Sequence, residues 1–169
     1  MDNTDMRDID PSRVAAVMKA SGFSFQTAVD GTYILNFNAS EPGMPALRVL
    51  VATATQNIRL VVRGQLETYY SLDACPVVQS AILRWQATHY GPTASAELDG
   101  HGHTCIKADT NILYGVGATD AQIATFLHES FSGIHDLLTD LHHVGLASAT
   151  TNDQTPGAAE LESWLHISD

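Results

Sequence analysis

The chain has 169 residues, of which 44% are hydrophobic, and 19 acidic against 8 basic residues give it a formal net charge of −11. This length suits one domain with its own hydrophobic core. The charge argues against a nucleic-acid partner because a phosphate backbone would be repelled, and the apolar stretches of the sequence are too short to span a bilayer.

The first nine residues and the two cysteines bear on cellular location. Residues 1–9 are polar and acidic, without the basic start and apolar core of a secretory signal, so we expect a disordered N-terminus and a cytoplasmic protein. Cys75 and Cys105 are far apart and form no Cys-x-x-Cys pair. In a reducing compartment such lone thiols are usually buried rather than bridged.

The first predicted elements are a helix and a hairpin. Asp10 is a suitable N-cap for the helix, and Gly22 ends it. Apolar and polar residues then alternate along two strands. A three-residue loop at 29–31 places Thr27 opposite Tyr33 and keeps the apolar residues of both strands on one face.

A second predicted hairpin joins strands 47–53 and 58–62 through a two-residue turn at 55–56. This register pairs Val51 with Leu60. One face of the hairpin then consists of apolar and β-branched residues, which suits packing under helices.

The reverse face of this hairpin is the binding surface that we predict. It is half apolar and half basic, and its residues are Arg48, Leu50, Arg59, Val61 and Arg63. In the predicted register Arg48 lies opposite Arg63, and because facing like charges destabilise a hairpin, an acidic group should lie over them. Two sources of that group remain open: a carboxylate of the same chain in a salt bridge, or an acidic or extended peptide of a partner.

A second helix is predicted between a cap at Ser71 or Asp73 and a stop at Gly91-Pro92. Two apolar lines on this helix meet at Trp85. Together they form a stripe wider than one contact with a sheet requires, so Trp85 joins the candidate partner-binding residues, although simple burial explains it as well.

The last third of the chain is predicted to contain weakly specified strands at 93–98 and 103–108 and a long amphipathic helix over about 120–144. A linker rich in Ser, Thr, Asn, Pro and Gly follows at 146–157. Residues 158–169 form a short amphipathic segment. Its apolar residues have helical spacing and are Leu161, Trp164 and Leu165.

The eight histidines of the chain suggest a metal site as one hypothesis. Three of them recur at seven-residue intervals along the last helix, namely His128, His135 and His142. Seven residues of helix separate side chains by about 10 Å, too far to share one ion. Asp136, Asp140 and His143 have the closer spacing that a metal needs, but such a set is usually a solvated face. We therefore predict no metal, no cofactor and no catalytic residue.

Four segments of the sequence resemble the YbjN family, the bacterial sensory transduction regulator domains. They are VAAVMKASGF at 14–23, ILRWQ at 82–86, AELDG at 96–100 and GATD at 117–120. The resemblance covers roughly residues 10–141 and places a YbjN-like domain at 10–145. It implies an α+β fold similar to the type III secretion chaperones, in which helices flank an antiparallel sheet in the order α-β-β-β-β-α-β-β-α. It also implies a homodimer with a regulatory or chaperone-like role and no known catalytic residue.

The sequence thus predicts a non-enzymatic, homodimeric domain that binds a protein or peptide partner, with no membrane or nucleic-acid partner. The alternative is a small metal-binding protein or enzyme that uses the carboxylates and histidines of the last helix. The candidate partner-binding residues are Arg48, Leu50, Arg59, Val61, Arg63 and Trp85.

Overall fold

A computed structural model of the chain describes residues 6–38, 45–54 and 59–148. Three helices and six strands lie within these ranges, in the order that the sequence predicts. They are α1 (Pro11–Ala20), β1 (Gln26–Thr27), β2 (Tyr33–Phe37), β3 (Leu47–Ala54), β4 (Arg59–Leu66), α2 (Ala74–Thr88), β5 (Thr93–Leu98), β6 (Thr104–Leu113) and α3 (Asp120–Ser148). Residues 146–148 of the predicted linker 146–157 belong to α3 instead, and residues 149–157 and the segment 158–169 lie outside the described residues.

The six strands form one antiparallel sheet in the order β1-β2-β3-β4-β6-β5. The apolar faces of the three helices share one core with one face of the sheet. Gly64 of β4 shows how closely this face and α3 approach, because a Cβ at residue 64 would overlap with Cγ2 of Ile134. The prediction of an α+β protein with helices against an antiparallel sheet is confirmed.

The N-terminal helix and hairpin follow the sequence pattern. The Asp10 carboxylate accepts a hydrogen bond from the backbone N–H of Arg13 at 2.9 Å and so caps α1. Thr27 pairs with Tyr33 as predicted, and Gly31 has a φ of 86°, in the left-handed region that its loop requires. The strand β1 itself is only two residues long.

The predicted register of the β3–β4 hairpin is wrong by two residues. Val51 pairs with Val62 rather than Leu60, and Arg63 lies opposite Leu50 rather than Arg48. A shift by two keeps every side chain on its face, so the apolar pattern alone could not detect it. The observed register leaves room for four connecting residues, 55–58, and those residues, including the predicted turn, lie outside the described part of the chain.

Strand β6 extends five residues beyond its predicted end at Ala108, as far as Leu113. Its added residues, which include polar Asp109 and Asn111, pair with residues 59–63 of β4. Hydrogen bonds to a neighbour distant in sequence therefore define this strand, and its own residue pattern does not reveal them.

The N-terminal segment departs in part from the predicted disorder over residues 1–9. Residues 1–5 lie outside the described ranges, but Arg7 forms a β-bridge with Ala118 and the side chain of Ile9 is completely buried. Residues 7–9 therefore belong to the folded domain.

The buried side chain of Arg13 holds this segment in place. Its Nη1 donates to the backbone oxygens of Arg7 and Asp8 at 2.7 and 3.1 Å, and Nη2 donates to the oxygen of Ala118 at 2.6 Å. Its Nε donates to Oδ1 of Asp120 at 2.7 Å. One guanidinium thus joins the N-terminal segment, α1 and the start of α3.

A hydrogen-bonded pair, Tyr70 and His142, lies in the core where α3 passes the end of the sheet. The Tyr70 hydroxyl and His142 Nδ1 are 2.5 Å apart, and both side chains are buried. A Cβ at Gly145 would lie 2.6 Å from the ring of Tyr70, so the glycine makes space for that ring. Burial raises the pKa of Tyr70 and, together with the nearby His143, lowers the pKa of His142. Both groups are therefore neutral at pH 7.

We expect the H142Q variant to lose about 1–3 kcal/mol of unfolding free energy at pH 7, because it breaks a buried hydrogen bond. This deficit should shrink as the pH falls. The unfolded chain binds a proton at His142 near its ordinary pKa of 6.5, whereas the folded chain binds it only at lower pH, so wild-type stability declines below pH 6.5. Urea unfolding at pH 7, 6 and 5 measures the difference, with H128Q as an exposed control on the same helix. A deficit that stays constant with pH would contradict the assignment.

Candidate binding surface on the outer face of the sheet

The alternation of side chains along β4 defines a second face of the sheet, which we call the outer face. Because Gly64 faces α3, its neighbours Arg63 and Gln65 face away from the helices. The residues in register with them on the adjacent strands share that orientation. Across β3, β4 and β6 the outer face consists of Arg48, Leu50, Ala52, Ala54, Arg59, Val61, Arg63, Gln65, Cys105, Lys107, Asp109, Asn111 and Leu113.

Basic residues are concentrated on this face. It carries four of the eight basic residues of a chain whose net charge is −11. Arg63 lies at the centre, between Leu50 of β3 and Asp109 of β6, and Lys107 lies beside Gln65. Sequence reasoning missed Lys107, because its place depends on the pairing of β6 with β4, which links distant parts of the chain.

Two of these four cations have carboxylate partners in the fold. Arg48 Nη2 lies 3.0 Å from Glu67 Oε1, and its Nε donates to Asn36 at 3.3 Å. Lys107 Nζ lies 2.7 Å from Glu97 Oε2, and this hydrogen bond is the main cause that lowers the pKa of Glu97. For these two residues the internal salt bridge, the first of the two open alternatives, is the observed arrangement.

Arg59 and Arg63 differ from the other two cations. Neither forms a salt bridge within the described ranges, although Asp109 lies opposite Arg63 and the charge of Arg63 helps to lower the pKa of Glu97. The Nε of Arg59 is buried without an acceptor in those ranges. A buried donor without a partner is costly and is rare in folded proteins. A guanidinium binds a carboxylate through two parallel hydrogen bonds, so an acidic group is the partner that suits both arginines.

The two apolar residues of the predicted surface lie between the arginines. Leu50 is directly opposite Arg63, and Val61 separates Arg59 from Arg63 along β4. They are only 4% and 7% exposed, which is less than the prediction of an open apolar face implies. Cys105, on the same face, is buried, and its burial raises the pKa of its thiol. Both cysteines are free thiols.

Trp85 is not brought together with the arginines. It lies on α2, which packs on the opposite side of the sheet, and its ring packs partly against the core. The ring stacks on His89 with centroids 4.5 Å apart and planes 10° apart. The predicted set of six residues therefore divides into an outer-face group and an isolated residue on α2. The exposed apolar residues of α2 are Val77 and Leu83.

The carboxylates and histidines of α3 do not assemble into a site. Across residues 6–38, 45–54 and 59–148, no three His, Cys, Asp or Glu side chains converge as a metal would require. Asp136, Asp140 and His143 are exposed, and Asp136 has His135 as its neighbour at 3.3 Å.

No helix in the described part of the chain is both long enough and apolar enough to cross a bilayer.

Comparisons with known proteins identify the fold. No family model matches the sequence, and no curated protein matches it. The crystal structure of YbjN from E. coli superimposes on 82% of this chain and 95% of its own, with a TM-score of 0.67 and 10% sequence identity. An uncharacterized protein from Methanothermobacter thermautotrophicus matches over 79% of this chain and 97% of its own, with a TM-score of 0.49 and 8% identity. The fold is that of YbjN, which confirms the resemblance seen in the sequence at the level of the fold.

Proposed function

We propose that this chain is a non-enzymatic binding domain that takes an acidic segment of a partner protein on its outer face. The observation that carries the proposal is that Arg59 and Arg63 form no salt bridge in the described residues, although Asp109 lies opposite Arg63 and acidic residues are abundant in the chain. Each arginine offers a fork of donors, Val61 lies between the two arginines on β4, and Leu50 lies opposite Arg63 on β3. An extended peptide with alternating acidic and apolar side chains suits this surface.

The role of such a domain would be regulatory or chaperone-like. YbjN, whose fold this chain shares, is a protein for which a role in regulating transcription has been suggested. A net charge of −11 disfavours direct contact with DNA, so regulation here would act through a protein partner. No residue of the outer face is assigned a step of chemistry.

We also propose that the chain forms a homodimer. The exposed side chains of Val77 and Leu83 on α2 supply an apolar surface on the side of the sheet remote from the arginines. The molar mass of the purified chain in light scattering measures this association directly.

We expect R59S/R63S to weaken capture of an acidic partner by at least about tenfold, because each lost charge-assisted hydrogen bond contributes about 1.5–3 kcal/mol. The fold should persist, since neither arginine forms a salt bridge in the described residues. The experiment is affinity capture from native lysate with quantitative mass spectrometry, repeated at increasing NaCl concentration.

The control for this experiment is K19S, which removes an exposed cation from α1, away from both proposed surfaces. A specific partner is retained by K19S and lost with R59S/R63S, and its capture falls as salt rises. The same set of captured proteins with all three baits would contradict the proposal.

A further inference from the structure

We infer that the C-terminal segment of this same chain, residues 158–169, docks on the outer face and covers Arg59 and Arg63. The inference rests on the surface assigned in the proposed function, but it does not require that an external partner exists. The segment would be an internal occupant that a partner must displace.

The chemistry of the segment matches that of the outer face. Residues 149–169 contain four acidic residues and no lysine or arginine: Asp153, Glu160, Glu162 and Asp169. Glu160 and Glu162 lie on either side of Leu161, the first residue of the predicted apolar stripe. A short helix that places this stripe over Leu50 and Val61 brings carboxylates to the arginines on both sides.

The end of α3 is well placed to deliver the segment. Gly145, three residues before the last residue of α3, packs on Tyr70, and Tyr70 forms a β-bridge with Thr104 at the start of β6. The chain therefore leaves α3 at the end of the sheet where β4 stops and β6 begins. The nine residues 149–157 reach about 30 Å when extended, which is more than the roughly 25 Å length of an eight-residue strand such as β4.

The buried Nε of Arg59 supports a docked carboxylate, because it has no acceptor in the described ranges and a buried donor without a partner is costly. Leu50 and Val61 are already only 4% and 7% exposed, so contacts with the arginines rather than with open apolar surface would hold the segment. A short linker gives the segment an effective concentration on the order of millimolar, so even a contact of micromolar affinity would stay closed.

Fluorescence of Trp164 tests the inference in the full-length chain. The chain has two tryptophans, so W85F leaves Trp164 as the single reporter. We expect its emission to be blue-shifted and protected from acrylamide in W85F. In this W85F background, R59E/R63E should remove the protection of Trp164, and E160K/E162K should remove it equally. A variant that carries both charge reversals should regain it. Adding K19E, at an exposed position of α1, is the control that should leave protection intact.

The results distinguish docking of residues 158–169 from binding of an external partner. Protection that depends on Arg59 and Arg63 supports the inference even when no protein is captured from lysate, and capture should then increase with E160K/E162K. Equal access of acrylamide to Trp164 in all variants would overturn the inference. The proposed function would still be tested by the capture experiment with R59S/R63S. Protection that disappears on dilution would mean that the segment docks on a second copy, which also overturns docking within one chain.

Discussion

Replacing Gly64 with valine is expected to lower the free energy of unfolding by about 3 kcal/mol, the upper end of the usual cost of overpacking a core. In an ordinary strand position the loss of glycine would stabilise the chain slightly. Here the first added carbon overlaps with Cγ2 of Ile134 and approaches Cδ1 of Leu138 to 3.3 Å. Both neighbours are completely buried, so neither can move into solvent. Urea unfolding followed by circular dichroism measures the loss.

Two further variants isolate the cause. G100A adds its carbon where no atom lies within 4 Å and should change stability little. I134A removes the clashing methyl group and by itself costs about 2–5 kcal/mol. The double variant G64V/I134A should lose clearly less unfolding free energy than the sum of the two single losses, because the valine fills part of the cavity. Simple additivity would show that the close approach of β4 and α3 is not the reason for glycine at this position.

The sequence predicts the elements of this fold well because their ends carry local chemistry. The start of α1 is an example, since the predicted N-cap Asp10 accepts a hydrogen bond from the backbone N–H of Arg13 at 2.9 Å. The features that the sequence does not reveal depend on distant partners. The two-residue shift of β3 against β4 and the extension of β6 to Leu113 both follow from strand pairing and from the contact of Gly64 with α3.

The candidate site shows the same division. Strand alternation places Arg59 and Arg63 on one face of β4, and Arg48 of β3 stays on that face under any register shift of an even number of residues. Which of them already has a carboxylate partner depends on Glu67 and on the neighbouring strands, so the sequence left both alternatives open. The sequence does not separate Trp85 from the arginines, because a wide apolar stripe does not indicate which side of the sheet its helix occupies.

Arg13 is the second position at which we expect a large loss, and the sequence gives no indication of it, because a single arginine in an amphipathic helix normally points to solvent. We expect R13M to lower the free energy of unfolding by about 3 kcal/mol, since its hydrogen bonds from a charged donor contribute about 1.5–3 kcal/mol each and are not fully additive. Methionine preserves the packing of the aliphatic stem, so the loss reports the guanidinium. Urea unfolding measures it.

The distribution of this loss over the contacts of Arg13 can be predicted from their exposure. The Asp120 side chain is 57% exposed, so D120N should cost only about 0.5 kcal/mol, as exposed ion pairs do. The carbonyls of Arg7, Asp8 and Ala118 would therefore account for most of the effect.

Because Arg7 and Ala118 also exchange backbone hydrogen bonds at 3.2 and 3.0 Å, R13M should release the N-terminal segment and speed hydrogen exchange at the Ala118 amide. If D120N matched R13M in stability and exchange, the ion pair rather than the carbonyl contacts would hold this segment to α3.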